Sequence, residues 1–138
     1  MNALQVGRAP REDARRALLK LVSRCEAIAS RLGDEPKRAA RLLYAVGRVQ
    51  EELLGDADAA KGNYLDAFGR DPEYEPNLRA ARRVEAQAQG WRAVLDLLDA
   101  ELRQTSKSPE EQAELYLERG TILDWSLNDL EGAREAYA

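Results

Sequence analysis

The chain has 138 residues, 44% apolar and 33% charged, with a formal net charge of −4. Ala, Leu, Arg, Glu and Lys fill 79 positions, whereas Val, Ile and Thr fill only ten; unbranched side chains lose little rotamer freedom in a helix, so this balance excludes a β-sandwich or barrel. Histidine is absent and there is one Cys, which excludes Ser–His and Cys–His catalysis, imidazole ligation of zinc, a histidine pH switch and an internal disulfide.

The apolar share is enough to fill a core and argues against disorder. The segment from Met1 to Gly7 carries no basic stretch leading into an apolar one, and no 18 apolar residues run together, so neither a secretory signal nor a membrane span is expected. A pI near 5.0 argues against a nucleic-acid partner, which needs a basic stripe. A cytoplasmic location follows as the expectation.

Apolar periodicity predicts a succession of helices. The first covers 11–32, with Ala14, Ala17, Leu18, Leu21, Val22, Cys25, Ile28, Ala29 and Leu32 at steps of three and four and Gly33 as its stop. Cys25 lies mid-stripe, where a free thiol packs as a small hydrophobe. The second starts near Pro36 and ends at Leu54-Gly55; the third is capped by Asp56 or Asp58 and ends before Asp71-Pro72. A fourth runs from Pro76 to Gln89, stopped by Gly90, and a fifth from Trp91 to Gln104. Ser108, Pro109 and Glu111 form a start signal for a sixth, extending to Leu127, and Asn128-Asp129 opens a seventh.

Displacing the chain by 73 residues brings Pro36 onto Pro109, Ala40 onto Ala113, Leu42 onto Leu115 and Gly47 onto Gly120. The same shift brings Leu54 onto Leu127, Asp56 onto Asp129, Ala60 onto Ala133 and Tyr64 onto Tyr137. Turn residues and small contact residues thus recur in one register, the mark of a repeated packing unit.

Seventy-three residues correspond to two helical hairpins. The run Leu43…Val46-Gly47…Gly55-Asp56…Ala60…Tyr64…Ala67…Pro72 resembles the tetratricopeptide repeat (TPR), of bacterial type. The resemblance implies an all-α right-handed superhelical solenoid of about three hairpins: an orphan helix at 11–32, a repeat at 36–72, a degenerate repeat at 75–104 and a truncated one at 109–138. In the degenerate repeat Arg82 breaks the pattern, standing where the resembled family has a small residue. A last helix this short would leave an apolar end face uncapped, so an N-terminal piece of a longer protein is expected, with self-association through that open C-terminal face as a further expectation.

In such a fold the first helix of each hairpin lines a concave surface. The resemblance directs Arg41, Tyr44, Arg48 and Glu51 there from the first repeat, Arg79, Arg83 and Gln87 from the second, and Glu114, Leu117, Thr121 and Asp124 from the third. Guanidiniums on such a face suit carboxylate recognition; a solvated helix face is the plain alternative. Trp125 has no aromatic counterpart in the repeat, since it falls on Glu52, and is either packing for a following repeat or a binding anchor. Trp91 reads as core packing beside the Gly90 turn.

No constellation for catalysis, phosphate or metal is present, so neither an enzyme nor a cofactor is expected. The expected function is protein–protein interaction, as a scaffold or adaptor docking a peptide or helix. A structural spacer or oligomerisation arm, or a regulatory domain attached to a downstream enzymatic region, are the alternatives.

Overall fold

The computed structural model describes the backbone of residues 3–104 and 107–126, and the side chains of 11–104 and 107–124. Six α-helices follow in chain order, α1 (Ala3–Ser30), α2 (Pro36–Glu52), α3 (Ala57–Arg70), α4 (Glu75–Gln87), α5 (Trp91–Leu102) and α6 (Pro109–Thr121), and a π-helical turn, Ile122–Ser126, continues α6. Sequential neighbours pack within two compact units, 1–71 and 72–138. No strand occurs among the described residues.

The expected punctuation sets most boundaries. Asp56 caps α3 by accepting from Ala59 N at 3.1 Å, and Ser108 caps α6 by accepting from Glu111 N at 3.1 Å. Pro36 and Pro109 each open a helix, where the missing N–H has no intrahelical partner to lose. Three boundaries differ. The first helix begins at Ala3 rather than Arg11, because apolar periodicity marks where a helix packs, not how far it extends. Between α4 and α5 the left-handed residue is Gln89, at φ 60°, and not Gly90. The sixth helix widens at Ile122 into the π turn, where consecutive Ile122 and Leu123 are both buried in one cluster. The expected seventh helix, with Asp129, Ala133 and Tyr137, lies outside the described residues.

In the first unit, α1 and α2 run antiparallel. Ala29 clusters with Ala40, Leu43 and Ala67 at one end, and Val22 with Val46 and Leu54 further along. The α2–α3 contact closes on Gly47: a Cβ there would lie 2.7 Å from Tyr64 Cδ1, and Tyr64 is fully buried between the equally buried Ala60 and Ala67 of its own helix. A ring fits because the facing position has no side chain. Polar contacts tie this unit together as well: Asn63 Nδ2 donates to Gln50 Oε1 (2.7 Å) and Glu26 Oε2 (3.1 Å), Arg70 donates to Ala29 O, and Arg15 donates to Leu54 O.

The second unit has an apolar cluster of Val94, Leu95, Leu98, Leu115, Ile122 and Leu123, with Ala86, half-buried Trp91 and Leu102 against it. Trp91 is therefore core packing, as its position after Gly90 suggests. The carboxylate of buried Glu85 lies over Gly90, where a Cβ would displace it.

Candidate interaction surfaces

On α2, Arg41, Tyr44, Arg48 and Glu51 follow at steps of three and four, so they share one face. Buried contacts hold that face in place. The Tyr64 hydroxyl donates to Glu51 Oε1 at 2.8 Å, and the Tyr44 ring lies 6.0 Å from the Tyr64 ring at 38°. Arg48 pairs with Glu52, one turn on. Arg41 is exposed; Tyr44, Arg48 and Glu51 are half-buried.

In the second unit, Arg79, Arg83 and Gln87 are exposed on one face of α4, and Arg79 pairs with Glu75. Glu114 and Leu117 are exposed on α6, Thr121 donates its hydroxyl to Leu117 O at 2.8 Å, and Asp124 is half-buried in the π turn. The backbone of Trp125 belongs to that turn, but its side chain lies outside the described residues. Each run of anticipated residues is thus gathered on its own helix.

Two features escaped the sequence. One is a charged network at the centre of the second unit. Arg82, the residue that broke the repeat pattern, reaches Glu101 Oε1 of α5 at 3.3 Å and Glu118 Oε2 of α6 at 2.7 Å. Glu101 is 2% exposed, and burial pushes its carboxyl above the usual range against the pull of Arg82, Lys107 and Arg79. Lys107, its side chain only 4% exposed, lies 2.9 Å from Glu75 and 3.6 Å from Glu111. The hydrogen bond from Lys107 holds the Glu75 carboxyl below the usual range, helped by Arg79 and opposed by burial. These pairs join α4, α5 and α6, and each buried charge faces an opposite one. They tie three helices together through side chains that would otherwise be buried unpaired. The anomaly at position 82 was the signal for this network, but its partners lie too far along the chain to be inferred from spacing.

The other is a groove of about 150 Å³ between α1 and α2, lined by Leu21, Val22 and Cys25 from α1 and Leu42, Ala45, Val46 and Val49 from α2. Only part of the α1 stripe is covered. Val22 and Ala29 are buried, but Leu21 is 51% and Ile28 43% exposed, with Ala14 and Ala17 beside them. Cys25 is half-buried in the groove wall rather than enclosed in core. A polar cleft in the second unit, bounded by Glu73, Ala100 and Arg103, is bridged by the Gln104 amide donating to Glu73 O at 3.0 Å.

Among the described residues no helix is long and apolar enough to cross a membrane, and no group of three or more His, Cys, Asp or Glu could hold a metal ion. No family model matches the chain, and no curated protein or solved structure matches it either.

Proposed function

We propose that this chain is a non-catalytic interaction module, a TPR-like solenoid in which the arginine-bearing faces of α2 and of α4 each dock an acidic or carboxylate-bearing segment of a partner protein. The observation that carries this reading is the preorganisation of the α2 face. Glu51 and Tyr44 are positioned by a buried tyrosine that Gly47 admits, so a ligand meeting Arg41 and Arg48 finds the neighbouring Tyr44 and Glu51 already restrained and loses less entropy on ordering those two. Guanidiniums recur on α4 at Arg79 and Arg83, and a planar guanidinium forms paired hydrogen bonds to a carboxylate.

The test is fluorescence anisotropy of a labelled hexaglutamate peptide with a free C-terminal carboxylate. Arg48→Ala and Arg83→Ala should each weaken binding about 10- to 100-fold, the equivalent of about 1.5–3 kcal/mol for a charge-assisted hydrogen bond. Lys61→Ala on α3 should leave it unchanged, and salt should weaken it, because these sites are open to solvent. Equal affinities for all three variants would sink the reading.

A further inference from the structure

We infer that the apolar groove between α1 and α2 is a self-association site, and that its occupant is α6 of a second copy of this chain. The groove's apolar floor is distinct from the charged α2 face, with which its margin shares Arg41, and the variants that test it leave every arginine of that face in place, so its failure and that of the carboxylate-docking reading are distinguishable.

The groove needs an occupant with an apolar ridge. Its floor is formed by Leu21, Val22, Val46 and Val49, and its outer edge continues along α1 through Ile28. The margins are basic. On α1, exposed Lys20 and Arg24 border Leu21; on α2, exposed Arg41 lies one turn before Ala45, and Arg38 before it pairs with Glu35. Of the two acidic residues at the far end of α2, Glu52 is paired with Arg48 and Glu51 accepts from the Tyr64 hydroxyl. A complementary segment therefore carries a short apolar ridge flanked by carboxylates.

The chain itself presents such a segment. On α6, Leu117 is 63% and Tyr116 56% exposed, with exposed Ala113 one turn before Leu117. Glu110, Glu114 and Glu118, all exposed, flank that ridge. The charge bias extends beyond the helices: residues 1–71 hold 13 Lys and Arg against 11 Asp and Glu, whereas residues 72–138 hold 8 against 14. A groove on one molecule filled by α6 of the next is a heterologous contact, so each copy keeps one free groove and one free ridge. Such contacts propagate head to tail rather than stopping at a symmetric dimer. The patches are small, which places the association at the weak, concentration-dependent end of protein interfaces.

The test is sedimentation velocity of the full chain from low-micromolar to near-millimolar concentration. The weight-average mass should climb above the 15.4 kDa monomer and fall back at high salt. Leu21→Glu and Leu117→Glu alter side chains that are already more than half exposed, so both variants should fold, as their circular dichroism melts would show. Each should remain monomeric, and an equimolar mixture of the two should form a 1:1 heterodimer, since one variant retains the ridge and the other the groove. Cys25, the chain's one cysteine, gives a second readout: its alkylation by iodoacetamide should slow as wild-type concentration rises, but not in Leu117→Glu. A monomer at every concentration would overturn the inference. So would a dimer that forms despite Leu117→Glu, which would mean groove meeting groove, and so would a mixture of variants that stays monomeric.

Discussion

The two units use similar helix punctuation but hold their helices together differently. In residues 1–71 the α2–α3 contact is one of shape, with the Tyr64 ring seated where Gly47 has no side chain and alanines Ala40, Ala60 and Ala67 bringing the backbones close. In residues 72–138, Arg82 stands where the first unit's pattern calls for a small residue, and its guanidinium spans Glu101 and Glu118. Small-residue packing draws on dispersion and burial, which respond little to pH or salt. A buried ion network depends on every charge retaining its partner, since an orphaned charge loses both solvation and pairing. The second unit should therefore be the more sensitive to single charge deletions.

That contrast is open to direct measurement, because both tryptophans, Trp91 and Trp125, lie in the second unit's sequence, so tryptophan fluorescence follows that unit while circular dichroism follows the whole chain. The largest effect is expected from Arg82→Met, which leaves Glu101 buried beside a neutral side chain. Breaking such a pair costs about 3–5 kcal/mol, and adding Glu101→Leu should recover most of it. A urea midpoint unmoved by Arg82→Met would remove the charged network as a source of stability. Next in size is Gly47→Leu in the first unit, where overpacking against Tyr64 should cost about 1–3 kcal/mol. Circular dichroism should register that loss; a melt identical to wild type would mean that the α2–α3 contact does not close on this glycine.

A smaller gain is expected from Gln89→Gly. At φ 60° a residue with a Cβ bears left-handed strain, and its relief should stabilise the second unit by about 1 kcal/mol in urea unfolding followed by tryptophan fluorescence. Last come two carboxylates whose linkage to pH has opposite sign. The folded Glu75 carboxyl is depressed, so its stabilisation is present above the unfolded value of about 4.3 and is lost as pH falls through its lower folded value. The folded Glu101 carboxyl is raised, so the native state takes up its proton first, and stability is lost as pH rises from about 4.3 through its folded value. Midpoints measured against pH should show the wild-type advantage over Glu75→Gln shrinking on acidification and that over Glu101→Gln growing. Parallel curves for the two variants would contradict that assignment.

Much of the helical plan was legible before any coordinates. Asp56, Pro36 and Ser108 mark helix starts through interactions local to three or four residues, and such signals survive without tertiary context. Gly47 and Tyr64 were identifiable as contact residues because the repeat spacing brought a gap and a ring into one hairpin. The runs on α2 and α4 were legible as helix faces, since steps of three and four fix which residues share a side. The open flank of α1 was not. Leu18, Val22, Leu21 and Ile28 belong to one stripe in the sequence, and only the placement of α2 decides that Val22 is enclosed while Leu21 and Ile28 meet solvent.

By itself, then, the sequence determined that the chain is all helix, where most helices begin, and which small residues admit close contact, because these follow from interactions within a few residues or from exclusion by composition. Tertiary structure alone decided how the long-range charges are matched. Arg82 meets Glu118 across 36 positions, and Lys107 meets Glu75 from the loop before α6. Chain spacing carries no information about such pairs, since they exist only once separate helices have packed and excluded the water that would otherwise screen them.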